Sequence, residues 1–203
     1  MCEALKTQYQ VNEEIGRGRF TTIFRCFHPL SNKPYACKVI DKSLLADSTD
    51  RECLQNEPKF MTLLSPHPNI LQIFNVFEDD DSLSIVMDLC QPHTLFDHIV
   101  NDPIFEIKAI VLIKSLLESL AHCHRMGVAH YDIKPDNVLF DSADNLLAIV
   151  ASSRKRRGGE ALGFPGLNEA FGKIFPLSLV RKAYMPQSIL STEAISLPPE
   201  RYM

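Results

Sequence analysis

The stretch VAHYDIKPDNVLF, residues 128–140, constrains this chain more than any other. It sets Asp132, Lys134 and Asn137 within one short loop, and the D-I-K-P-D-N combination is highly specific. It reads at sight as the catalytic loop of an enzyme. The stretch after it is of a different kind. Residues 1–145 carry 13 Lys and Arg against 21 Asp and Glu, whereas residues 146–203 carry 8 against 4, so a balance of −8 gives way to one of +4. No aspartate occurs after Asp144, and glycine and proline become frequent in RRGGEALGFPG and SLPPE.

With 203 residues, 45% of them hydrophobic, the chain can bury a core of its own as one large domain or two lobes. The apolar runs AIVLIKSLLESLA and ILQIFNVF are interrupted by polar residues well short of a membrane span, and MCEALKTQYQ lacks the apolar centre of a signal peptide. A cytosolic protein that binds neither membrane nor nucleic acid is expected. The six cysteines are scattered with no C-x-x-C pair, which argues against both a disulfide framework and a zinc knuckle and favours reduced thiols. His122 and His124 flank Cys123, and Cys90 and His93 lie elsewhere, but this spacing fits no common zinc pattern.

In the first ninety residues, Tyr9 to Ile15 and Thr22 to Phe27 read as two strands joined by GRGRFT. Gly16 and Gly18 leave room there for backbone amides to approach phosphate, although a turn between strands needs glycine in any case. The next strand, PYACKVI, sets Lys38 among Ala36, Val39 and Ile40, so the lysine needs a counter-charge. RECLQNEPKFMTLL offers one, because its apolar positions suit an amphipathic helix with Glu57 able to face the sheet. Strands resume at Ile70 to Phe77 and at Leu83 to Asp88 around the polar turn EDDDS. That turn lacks the glycine and terminal glutamate of a calcium loop. Farther on, Pro103 and Gly127 bound a long helix with a core stripe of Ile107, Ile110, Ile113, Leu117 and Leu120.

Glycine hairpin, strand lysine, helix glutamate, two strands and the HYDIKPDN loop follow one another in the order found in protein kinases. Over about the first 147 residues the chain resembles the plant phosphoenolpyruvate carboxylase kinases. These are compact members of the calcium/calmodulin-dependent kinase group without a calcium-binding extension. YQVNEEIGRGRF, ECLQNEPKFMTLLSPHPNILQIF and LSIVMDLCQPHTLFDHIV carry the likeness together with the loop.

The resemblance implies an α+β, protein-kinase-like fold. A β-rich small lobe and hinge would occupy residues 1–90, an incomplete helical large lobe 91–147, and an irregular tail 148–203. It also implies ATP and Mg²⁺ as cosubstrates, a serine of phosphoenolpyruvate carboxylase as acceptor, and a monomer. Nucleotide contacts would come from Ile15, Gly16, Gly18, Ile23, Ala36, Lys38, Glu57, Met87 and Cys90. Within these, Lys38 would hold the α- and β-phosphates, Glu57 would fix Lys38, and Met87 to Cys90 would form the hinge under adenine. Asp132 would accept the proton of the substrate hydroxyl, Lys134 would neutralise the transferring phosphoryl group, and Asn137 would bind Mg²⁺. The lysine two places after Asp132 matches serine/threonine kinases.

Three positions depart from the pattern. Thr21 replaces the third glycine of the phosphate loop, and Tyr131 stands where an arginine is expected between His130 and Asp132. The third departure is the most severe: LLAIVASSRKRRGGEAL stands where an Asp-Phe-Gly triplet should supply a magnesium ligand. If Ala148, Ile149 and Val150 are encoded GCG, AUU and GUG, reading from the third base of the alanine codon gives Asp-Cys-Gly, which points to a frame shift or aberrant splice near residue 148. The loss of one transition-state contact costs about 3 kcal/mol, so little phosphoryl transfer is expected. The run RKRR at 154–157 is then accidental, its alternative being an anion-binding or nuclear-localisation patch.

Overall fold

The computed structural model describes residues 1–45, 48–101, 105–130, 133–143, 145–148 and 153–155. Its centre is an antiparallel sheet of β1 (Gln10–Arg17), β2 (Thr21–Phe27), β3 (Pro34–Asp41), β4 (Ile73–Glu78) and β5 (Ser82–Asp88), in the spatial order β1-β2-β3-β5-β4. The strands fall where alternation and turn residues predict them. The exception is β4, which begins three residues late because Ile70 and Leu71 are buried in the connection before it.

Side chains alternate across a strand, so the sheet has two differently covered faces. On one, Ala36 of β3 and Met87 of β5 are paired in register and pack with Met61 and Leu64 of helix α2 (Ser48–Leu64). On the other, Cys26, Cys37, Val86 and Phe77 are covered by Cys2, Leu5 and Tyr9. Cys2 and Leu5 belong to the N-terminal segment around a short helix, α1 (Glu3–Gln8), that the sequence reading did not foresee. Leu5 is fully buried there.

Beyond β5 come α3 (Leu95–Asn101) and α4 (Glu106–Arg125). The predicted start of the long helix at Pro103 lies outside the described residues. Gly127, with φ of 74°, takes the left-handed conformation that ends such a helix with least strain. The core stripe of α4 differs from expectation. Ile107 is 79% exposed, and the buried face instead follows Ala109, Leu112, Ile113, Leu116, Leu117, Leu120 and Cys123. That set keeps the i, i+3, i+4 spacing of a single helical face, from which Ile107 falls away.

Three short strands then frame the loop: β6 (Val128–His130), β7 (Val138–Phe140) and β8 (Leu146–Ala148). β7 and β8 form a hairpin whose turn is organised by Asp141. Its carboxylate accepts the amides of Ala143 and Asn145 and the side-chain amide of Asn145. In the stretch expected to be irregular, Ala148 closes β8, and β9 (Ser153–Lys155) pairs antiparallel with β6, Ala129 opposite Arg154. Backbone pairing does not depend on side-chain identity, so the unusual composition there did not announce it. The rest of 148–203 lies outside the described residues.

Candidate active site

The register of the sheet brings the expected nucleotide residues to one face. Ile23 of β2 is paired with Lys38 of β3, and two residues along, Ala36 is paired with Met87 of β5. Ala36 and Met87 are buried in the cluster against which Ile23 and Cys90 pack. Together they make an apolar surface beside a cation, suited to a base with a phosphate tail. Ile15 sits at an irregularity of the β1–β2 pairing, between Glu14 and Gly16, and is partly exposed at the hairpin.

Lys38 reaches across to α2. Its Nζ lies 2.7 Å from Oε1 and 2.8 Å from Oε2 of Glu57, whose side chain is 2% exposed against 15% for the lysine. Desolvating an unpaired carboxylate costs several kcal/mol, so Glu57 is tolerated in this position because Lys38 bonds both its oxygens. The Lys38 side chain, still partly open, remains within reach of a second anion.

At the hairpin tip, the Gly18 amide donates to the Thr21 carbonyl at 2.7 Å. A Cβ on Gly18 would come within 2.7 Å of the Thr21 hydroxyl. A side chain at 18 would therefore make the Thr21 hydroxyl turn away, and Thr21 stands where the expected pattern has a third glycine.

Of the loop, Ile133 to Asn137 are described, whereas Tyr131 and Asp132 lie outside the described residues. Lys134 is exposed, and Pro135–Asn137 form a single 3-10 turn, with the Asn137 amide bonded to the Lys134 carbonyl at 3.0 Å. His130, at the end of β6, is buried. Gln91, which the sequence did not single out, ties the segment after β5 to the exit of the loop. Its backbone amide donates to Phe140 and its side-chain amide to the Asp141 carbonyl, both at 2.8 Å. A lone glutamine in a connector gives no signal of such a role.

Cys90 lines a groove of about 610 Å³ behind that segment, together with Asp88, Asp141, Lys33 and His67. Burial, then the charges of Asp88 and Asp141, push its thiol up to about 12. Its side chain thus lies in a recess that disfavours the thiolate.

Among the described residues no group of three His, Cys, Asp or Glu side chains is placed to hold a metal ion. The nucleotide surface fits ATP or ADP. Magnesium between the phosphates fits less well, because residues 149–152, which join β8 to β9, are Ile, Val, Ala and Ser and bring no carboxylate.

A five-stranded sheet carries the Lys38–Glu57 pair and is tied through Gln91 to the exit of the loop that holds Lys134 and Asn137, which gives a small lobe and part of a second, helical one. The model of the protein kinase domain matches residues 9–150, and the chain belongs to the protein kinase family. It is 36% identical over 148 residues to calcium-dependent protein kinase 7 of Arabidopsis thaliana, covering 72% of this chain and 28% of that one. To calcium-dependent protein kinase SK5 of Glycine max it is 38% identical over 141 residues, covering 69% and 28%. Calcium-dependent protein kinase 8 of Arabidopsis thaliana is 34% identical over 190 residues, covering 90% of this chain and 35% of that one. The chain thus spans about a third of the length of these relatives. A match to nine-tenths of 203 residues must take in 148–182, which weighs against a tail made only by a shifted frame.

Proposed function

We propose that the chain is a nucleotide-binding protein of the serine/threonine protein kinase type in which phosphoryl transfer is impaired. The observation that carries this reading is the Lys38–Glu57 pair, closed at 2.7 and 2.8 Å on the face that Ile23, Ala36 and Met87 share. Asn137 and Lys134 would hold a metal and the transferring group, and Asp132 would take the hydroxyl proton. When bound, ATP supplies the phosphoryl group, and Lys38 fixes its phosphates relative to the base surface.

The absence of a carboxylate between β8 and β9 removes one electrostatic contact to the metal, worth about 3 kcal/mol or roughly 10²–10³ in rate. Phosphoenolpyruvate carboxylase is the acceptor we propose, on the resemblance of the small-lobe motifs alone. A second reading, a catalytically silent module that holds nucleotide or the carboxylase, is favoured by the same missing carboxylate.

Nucleotide binding is tested by thermal-shift titration of the 203-residue chain with ADP and ATP, with and without Mg²⁺. A rise in melting temperature that Lys38→Ala abolishes is expected. No rise in a folded sample, or an equal rise in the variant, would refute the reading. Transfer of labelled phosphate to the carboxylase then separates the impaired kinase from the silent module.

A further inference from the structure

Where α2 ends against α4, two histidine rings meet at a tilt. His122 of α4 and His67, three residues beyond α2, have ring centroids 4.7 Å apart at 36°. His122 Nε2 lies 3.1 Å from the carbonyl oxygen of Leu64, the last residue of α2. The final carbonyls of a helix have no partner within it, and a ring nitrogen facing one must carry the hydrogen. His122 therefore donates from Nε2 and caps the helix that carries Glu57. Leu64 and Met61 of α2 share one apolar cluster with Cys123, the neighbour of His122, so this cap sits on packed ground.

His67 is held differently. Its Nδ1 accepts the amide of Asn69 at 3.1 Å, which requires that nitrogen to be bare and the ring to be neutral. A proton on Nδ1 would break that bond and set a cation against the His122 ring. Around the pair stand Arg125 and Glu118 on α4, while Lys33 and Asp88 line the groove that His67 also lines. Burial, His122 and Arg125 hold the His67 imidazole below its ordinary value, with Glu118 in partial opposition.

We propose that His122 is a positioning residue for the Lys38–Glu57 pair, acting through the Leu64 carbonyl, and that it holds α2 in place only while His67 is neutral. This rests on the reading that the pair serves nucleotide binding. The sign is fixed by the geometry. A histidine that is neutral when folded imposes no penalty above its unfolded value of about 6.5, and a growing one as pH falls below it. Acid should loosen the end of α2, let Glu57 drift from Lys38 and weaken nucleotide binding.

The test uses the full chain and a fluorescent ADP analogue with Mg²⁺, titrated from about pH 7.5 to about 5.5, across the ordinary range of histidine. His67→Asn keeps an acceptor for the Asn69 amide but cannot titrate. Protonation of the nucleotide is common to both proteins and cancels in the comparison. The wild type should lose about tenfold more affinity than His67→Asn over this range, the size of one unit of linked titration. His122→Leu should bind about tenfold more weakly even at the upper pH, the effect of about 1.4 kcal/mol. His122→Gln, which can still donate to Leu64, should recover most of that loss, as a purely steric role would not allow.

Equal acid slopes in wild type and His67→Asn would overturn the proposal, as would His122→Leu binding like wild type or His122→Gln binding like His122→Leu. Should His122→Leu fail to fold, the comparison of wild type, His67→Asn and His122→Gln decides alone. Hydrogen exchange at residues 60–64, compared between wild type and His67→Asn at each pH, needs no nucleotide. Acid loss of protection confined to wild type, without nucleotide binding at any pH, would leave the latch standing and sink the nucleotide reading. Equal protection in both would sink the latch.

Discussion

Lys38 and Glu57, nineteen positions apart in sequence, meet with both carboxylate oxygens within 2.8 Å of one ammonium nitrogen. This contact closes β3 onto α2. Its energetic character sets the first prediction. Glu57→Ala should leave Lys38 partly buried and unpaired and cost about 3 kcal/mol, the lower part of the range for breaking a buried pair. Lys38→Met combined with Glu57→Leu should recover most of that stability while nucleotide binding stays lost. Urea unfolding and the thermal-shift titration measure the two halves. A double variant no more stable than Glu57→Ala would show that the pair is not what holds α2.

The N-terminal helix should matter to stability more than its length suggests. Leu5 is fully buried among Cys26, Cys37 and Val86 on the face of the sheet away from the cleft. Leu5→Ala should therefore cost about 2–5 kcal/mol without a selective effect on nucleotide affinity. Chemical denaturation of the variant checks it, and a loss below about 1 kcal/mol, typical of a surface change, would mean that α1 is not docked in solution.

Gly18 and Thr21 should behave as a coupled pair. Gly18→Ala sets a methyl within 2.7 Å of the Thr21 hydroxyl and should weaken ADP binding by about tenfold, or 1.4 kcal/mol. Thr21→Gly in the same chain should restore much of it, because the obstacle is a side chain and not the backbone. The double-mutant cycle reads the coupling directly; strictly additive effects would place the damage elsewhere in the hairpin.

Cys90 should resist alkylation although it is the least buried of the described cysteines. With its thiol pushed up to about 12 by burial, Asp88 and Asp141, only a trace is thiolate at about pH 8. Iodoacetamide should react about 10³-fold more slowly than with an unperturbed thiol of pKa ~8.5. Peptide mapping by mass spectrometry gives the rate, and Asp88→Asn with Asp141→Asn should raise it. A rate like that of a free thiol would contradict a recess that disfavours the thiolate.

Much of this arrangement was legible before the structure. Alternation in PYACKVI put Lys38 among apolar residues, and RECLQNEPKFMTLL left Glu57 able to face the sheet with a solvated helix charge as the other reading, so it was the resemblance to protein kinases that paired the two. Other features were legible in principle but unread. Thr94 and Asp97 cap α3 reciprocally: the Thr94 amide donates to Asp97 at 2.8 Å, and the Asp97 amide to the Thr94 hydroxyl at 3.4 Å. The T-x-x-D signal of a helix start was therefore present in HTLFD. The stripe on α4 was misplaced because Ile107 fits helical spacing nearly as well as Ala109, and periodicity does not reveal which apolar residue meets a partner. The His67–His122 contact was hidden for a different reason. It joins two rings 55 positions apart beside the Leu64 carbonyl that His122 faces, and no pattern of side chains encodes where a carbonyl points.

The pairing of β9 with β6 changes how the loss of the metal carboxylate should be understood. Main-chain ladders tolerate almost any side chain, and here one persists through a segment whose composition has otherwise turned basic and aspartate-free. Only four residues, 149–152, lie between β8 and β9, so the strands that would bracket a metal ligand are still in place around the gap. What 149–152 lack is a carboxylate, while the main-chain pairing on either side of them is kept. An acidic side chain placed in that link would therefore enter a frame of backbone hydrogen bonds that already exists, without any strand having to be rebuilt around it.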